Sequence, residues 1–130
     1  MDENVDTFLF GSKSRFNSLC LELVTKMKEK YPHIKRVYVR AEYPDISEDY
    51  QNYLLKSYEE TYYPEHIIGS GKAAYVERNY EMINLSRFCI VYYDESYAPT
   101  TRKSGTKIAL EFATKQDKRI ITLPMLSCKM

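Results

Sequence analysis

Several residue types that mark particular protein classes are scarce in this sequence. It has no tryptophan, four glycines, five prolines and three cysteines in 130 residues. Cys20, Cys89 and Cys128 form an odd set at wide spacing with no C-x-x-C. They read as reduced thiols, two of them in the core, in a cytoplasmic protein. No apolar run reaches the roughly 18 residues that would suggest a membrane span. The opening MDENVD has neither a basic nor an apolar region, so no signal peptide is expected. Neither G-x-x-x-x-G-K-[ST] nor G-x-S-x-G occurs, which excludes a P-loop NTPase and a nucleophile elbow. Two histidines, His33 and His66, stand too far apart for a zinc site, and neither metal nor cofactor is expected. Nineteen basic and eighteen acidic residues leave a net charge of +1. That balance weighs against a dedicated nucleic-acid binder, which would show a basic excess.

What is present is ordinary globular composition, 44% hydrophobic and 28% charged, which argues against disorder. The length fits one domain, spanning 1–130, able to bury about two-thirds of its unfolded surface. Tyrosine is the exception: there are 13, and eleven lie between Tyr43 and Tyr97. Its flat face and polar tip suit ring stacking or a wet interface, and together with the habits of related folds this points to a homo-oligomer, dimer or higher.

Thr7-Phe8-Leu9-Phe10, stopped by Gly11-Ser12, reads as a buried strand. Phe16, Leu19, Cys20, Leu23, Val24, Met27 and Tyr31 recur at helical spacing, from Ser14 as N-cap to just before Pro32. Arg36 to Arg40 is a second strand. Residues 41–71 read as a tyrosine-rich insert over one end of the sheet, with a short polar helix between Ser47 and Glu60. Lys72 to Leu85 is helical, with Tyr75, Asn79, Met82 and Ser86 on one side. Phe88 to Tyr93, apolar enough to be central, ends at Asp94. A helix starts near Ser104-Gly105-Thr106 and buries Ile108, Ala109, Phe112 and Ala113. Arg119 to Leu123 is the last strand. The order β-α-β-(insert)-α-β-α-β predicts an α/β, Rossmann-like three-layer domain with a mainly parallel sheet.

Ligands of such sheets gather beyond the carboxyl ends of the strands. Gly11-Ser12, Asp94 and Ser104-Gly105-Thr106 all fall there. Glycine beside a helix start lets backbone N–H groups approach an anion, and the helix dipole favours negative charge. Two such turns facing one crevice would suit a phosphate or pyrophosphate, although turn and capping chemistry alone accounts equally well for Gly11-Ser12.

Glu77-Arg78-Asn79-Tyr80-Glu81-Met82, then Ser86-Arg87-Phe88-Cys89-Ile90-Val91, then Ser104-Gly105-Thr106, together resemble the SLOG superfamily, closest to its YpsA-like branch. Relatives of that group include the LOG cytokinin-activating hydrolases, the DprA proteins and the nucleoside 2-deoxyribosyltransferases. Against the LOG pattern E-R-K-x-x-M, Glu77, Arg78 and Met82 match and Asn79 replaces the lysine. Gly105-Thr106 match the later G-T, and Phe10-Gly11-Ser12 is similar to the first phosphate-side turn. The likeness covers Phe8 to Leu123 apart from the insert. It implies that Arg78 faces the ligand crevice, where its guanidinium can fork onto phosphate. An arginine paired with Glu81 on its own helix is the plain alternative.

One departure matters. The relatives' glutamate, four residues after the motif glycine, is replaced here by Ala109, which removes that carboxylate outright. Glu111 lies two residues further, about 200° around the helix and opposite its apolar stripe. Asp94 and Glu81 are the other carboxylates in reach of a catalytic role. The expectation is therefore a protein that binds a nucleotide or nucleotide-derived ligand, as sensor, carrier or sequestering protein. Gly11, Ser12, Arg78, Asn79, Asp94, Ser104, Gly105 and Thr106 are its expected contacts. An N-glycosidic hydrolase or deoxyribosyltransferase using Asp94, Glu81 or Glu111 is the alternative, and a protein-interaction module presenting the tyrosine-rich insert is a third.

Overall fold

The computed structural model describes residues 5–12, 14–41, 44–65, 67–69, 71–92 and 105–123. Strands and helices alternate: β1 (Thr7–Phe10), α1 (Arg15–Lys30), β2 (Lys35–Val39), α2 (Glu48–Leu55), β3 (Glu60–Tyr62), α3 (Lys72–Leu85), β4 (Phe88–Tyr92), α4 (Gly105–Lys115) and β5 (Arg119–Leu123). They belong to two compact units, Met1–Ile67 and Ile68–Met130. All strand pairs are parallel, in the order β1-β2-β3 in the first unit and β4-β5 in the second. The chain is thus an α/β protein built from parallel β-α-β units. Among the described residues, no helix is long and apolar enough to cross a membrane.

In the first unit, α1 starts where the sequence predicts. Ser14 is extended at φ −70° and its Oγ accepts the Asn17 N–H, meeting one of the orphan donors of the first turn. The helix stops before Pro32, and Lys28 Nζ donates to the Pro32 and Ile34 carbonyls, a cation placed where the helix dipole is negative. The register Phe10↔Tyr38 brings Phe8, Phe10 and Tyr38 to one sheet face. There they pack with Val24 of α1 and Leu54 of α2. Tyr58 fills the middle of this core, its ring 5.6 Å from Phe10 and 5.2 Å from Tyr38. The buried side of α1 is narrower than its periodicity suggests. Cys20, Val24, Met27 and Tyr31 pack inward, with Leu21 on their flank. Leu19 and Leu23 are each 55% exposed, being about 100° and 60° around the opposite flank.

The segment 41–71 differs from its expected role as an insert over the sheet end. Its polar helix is α2, capped by Ser47 Oγ accepting from the Tyr50 N–H at 3.1 Å. Glu60-Thr61-Tyr62 then pairs with Val37-Tyr38-Val39 as the third strand, so much of the segment is a second parallel crossover. Three residues opening with glutamate carry no alternation to detect and little strand propensity. An ion pair fixes where β3 begins. Arg36 Nε–H donates to Glu59 Oε1 at 3.1 Å, its second guanidinium nitrogen to Oε2 at 2.6 Å, and its backbone N–H to Oε1 at 2.7 Å. The Glu59 N–H returns a bond to the Arg36 carbonyl, and Thr25 on α1 accepts the remaining Arg36 fork at 2.9 Å.

In the second unit, Tyr80 of α3 stacks on Phe112 of α4 with ring centroids 4.0 Å apart, and Ala113 is fully buried. The buried residues of α3 are Ala74, Arg78 and Ile83, while Tyr75, Asn79, Met82 and Ser86, expected along one side, are exposed or partly buried. A hydrophobic pattern has no means of placing a buried arginine. α4 ends with Asp117 in the left-handed region at φ 56°, while the Lys118 N–H reaches back to the Ala113 carbonyl, a closure that glycine more often provides. β4 was expected to be central; among the described residues it pairs with β5 alone.

The Arg36–Glu59 geometry gives a test. The guanidinium hydrogen bonds hold the Glu59 carboxyl below its ordinary value of 4.5. A carboxyl depressed by folding adds stability above that value and loses it as pH falls through the folded one. Urea denaturation of Glu59→Gln should show a loss of about 1–3 kcal/mol at neutral pH. Its stability should fall less steeply than that of the wild type below pH 4.5, and equal slopes would remove Glu59 from the acid response.

Candidate functional site

Parallel strands leave their carboxyl ends together, so the residues after β1, β2 and β3 gather at one end of the first sheet. Gly11, buried, and Ser12, exposed, follow β1 directly and lead into α1. Side chains pin this turn. Ser12 Oγ lies 2.9 Å from Ser14 Oγ, the Ser14 N–H donates to Ser12 Oγ, and the Ser12 N–H donates to Asn17 Oδ1. The Asn17 amide in turn donates to the Tyr58 hydroxyl at 3.5 Å, tying the turn to the core. The arrangement holds the positive end of the α1 dipole at the sheet's carboxyl end.

Arg40, one residue beyond β2, was not among the expected contacts. Its backbone N–H extends the ladder to the Tyr62 carbonyl at 2.8 Å. Its guanidinium donates to Thr61 Oγ1 and to the Pro44 carbonyl, both at 3.2 Å. Thr61 Oγ1 is held by its own donation to the Tyr38 carbonyl. Arg40 Nε is buried and has no hydrogen-bond partner among the described residues. Arg36 and Arg40 share strand parity, but nothing in the sequence shows how each guanidinium is partnered.

In the second unit, Arg78 and Asn79 meet as neighbours, the Arg78 Nε–H donating to Asn79 Oδ1 at 2.8 Å. The Arg78 guanidinium lies 5.5 Å from the Tyr75 ring centroid, and the residue is only 5% exposed. Its neighbour Glu77 has a structural task. Glu77 Oε2 accepts the Ile68 and Gly69 N–H groups at 2.9 and 3.1 Å, fastening the chain's approach to α3. Gly71, the N-cap, sits at φ 59°, ψ −130°, and no side chain caps the helix. Gly105 and Thr106 are the first two residues of α4. Glu81 on α3 and Glu111 and Ala109 on α4 are partly buried, which for Glu111 departs from the solvated position expected. Asp94, Ser104, Arg102, Lys103 and His66 lie outside the described residues. The expected meeting of Gly11-Ser12 with Ser104-Gly105-Thr106 joins residues of two units, each described by itself.

Burial pushes the Cys20 and Cys89 thiols up, which keeps them protonated and poorly nucleophilic at neutral pH. Among the described residues, no three His, Cys, Asp or Glu side chains gather in a way that could hold a metal ion. Comparison of the chain with protein-family models, curated proteins and solved structures gives no match.

The approach to α3 can be tested directly. A Cβ added at Gly69 would meet Ala73 Cβ at 2.6 Å, closer than packed carbons tolerate. Gly69→Ala should destabilise the protein by about 1–3 kcal/mol, and the same change should cost less in an Ala73→Gly background, which vacates the space. A double-mutant cycle in urea with no coupling would contradict this packing.

Proposed function

We propose that this chain binds a nucleotide or nucleotide-derived ligand beyond the carboxyl ends of its parallel strands, as a SLOG-like, Rossmann-type binding protein. The observation that carries the reading is the β1-α1-β2 unit: a parallel crossover whose first turn, Gly11-Ser12, stands between the end of β1 and the Ser14-capped start of α1. Such a turn presents the positive end of a helix dipole to an anion. In the second unit the reading draws on the likeness of Glu77-Arg78 and Gly105-Thr106 to the family's motifs. Gly105-Thr106 at the start of α4 repeats the helix-start chemistry, and Arg78 supplies a full charge. Ala109, where the hydrolases and transferases carry glutamate, favours binding over N-glycosidic cleavage.

Titration calorimetry with nucleoside monophosphates tests the reading. Arg78→Ala should weaken binding about 10- to 150-fold, the loss expected for a hydrogen bond to a charged group. Gly105→Val should abolish binding by blocking backbone approach while leaving the unfolding midpoint near its original position. Unchanged affinity in both variants would refute the assignment, and chromatographic release of free base by the wild type would replace it with the enzymatic one.

A further inference from the structure

We propose that the ring of Tyr75, in the second unit, is the platform on which the ligand's nucleobase stacks. The proposal rests on the nucleotide-binding reading above and deepens it, because it requires a ligand with a planar base rather than a bare sugar phosphate. Tyr75 lies in the first turn of α3 and keeps 40% of its surface in solvent. Arg78, three residues on and therefore on the same side of the helix, is only 5% exposed. Its guanidinium stands 5.5 Å from the Tyr75 ring centroid, and its Nε–H is tied to Asn79 Oδ1 at 2.8 Å. A buried cation thus lies against a ring that solvent can reach. The ring quadrupole attracts that cation, which fixes the orientation of Tyr75 before a ligand arrives and lowers the ordering cost of binding.

Topology puts the ring at the ligand end of this unit. Ser86 and Arg87 alone separate α3 from the amino end of β4, and residues 116–118 separate α4 from the amino end of β5, which is parallel to β4. Both helices therefore run toward the amino ends of the strands and begin toward their carboxyl ends. Two contacts fix their relative level. Tyr80 stacks on Phe112 at 4.0 Å, and Lys118 Nζ donates to the Asn84 carbonyl at 3.4 Å. Carried back along both helices, the same spacing brings Tyr75 level with the opening turn of α4, where Gly105 and Thr106 stand. A phosphate at that turn and a base on Tyr75 are then two ends of one ligand. Every base has a π-face, so the ring supplies affinity for bases as a class without selecting one of them.

The test is titration calorimetry on the full chain with the common ribonucleoside monophosphates and with ribose 5-phosphate, which lacks the base, against wild type, Tyr75→Ala and Tyr75→Phe. Tyr75→Ala should bind the tightest monophosphate about 5- to 150-fold more weakly and ribose 5-phosphate as the wild type does. Tyr75→Phe keeps the ring and should bind both as the wild type does. The sequence has no tryptophan, so Tyr75→Trp introduces a single indole, whose emission should change with the monophosphate and not with ribose 5-phosphate. A ring that merely covers Arg78 would lose both probes equally in Tyr75→Ala, and that result overturns the assignment. Unchanged monophosphate affinity in Tyr75→Ala, or unchanged indole emission at saturating monophosphate, overturns it too and leaves the nucleotide reading standing. If no probe binds the wild type, both are overturned.

Discussion

Parallel strands cannot be joined by a tight turn, and the rest of this structure depends on that constraint. Each pairing requires the chain to leave one end of the sheet and return to the other, so α1 and α2 exist as crossovers in the first unit and α4 as one in the second. Both helices of the first unit pack on the face that carries Phe8, Phe10 and Tyr38. The same constraint separates the sheet ends by role. Turns at the amino end close the structure, and turns at the carboxyl end open onto helix starts.

Charge follows that division along β2. At the amino end Arg36 is consumed by Glu59, in a geometry that sets where β3 begins and links β2, β3 and α1 through Thr25. At the carboxyl end Arg40 is held in position by Thr61 and Pro44, and its buried Nε has no hydrogen-bond partner among the described residues. In the second unit the motif pair divides likewise: Glu77 fastens the turn before α3, and the charge of Arg78 is buried against Tyr75 and Asn79.

Helices and apolar strands were legible because their signals are periodic. Ser14, Pro32 and the run from Phe16 to Tyr31 delimit α1 within a residue, and the alternation of strand and helix gives the α/β class. β3 was hidden because three residues headed by Glu60 show no period, and pairing with β2 alone decides their conformation. The tyrosine-rich segment misled for a related reason. Tyr58 is core and Tyr53 is 65% exposed, a difference that composition cannot express. For the site, turn chemistry pointed to Gly11 and Ser12, whereas Tyr75 became visible only through its exposure and its place beside Arg78.

The central claim is that the ligand sits at the carboxyl ends of the strands. Backbone amide shifts in an ¹⁵N-labelled chain, followed as a nucleoside monophosphate is added, test it most directly. In the first unit, movement is predicted at Gly11, Ser12 and Arg15, with Lys35, Arg36 and Glu59 at the opposite strand ends unmoved. Shifts confined to those opposite ends, or none at saturating nucleotide, would contradict it.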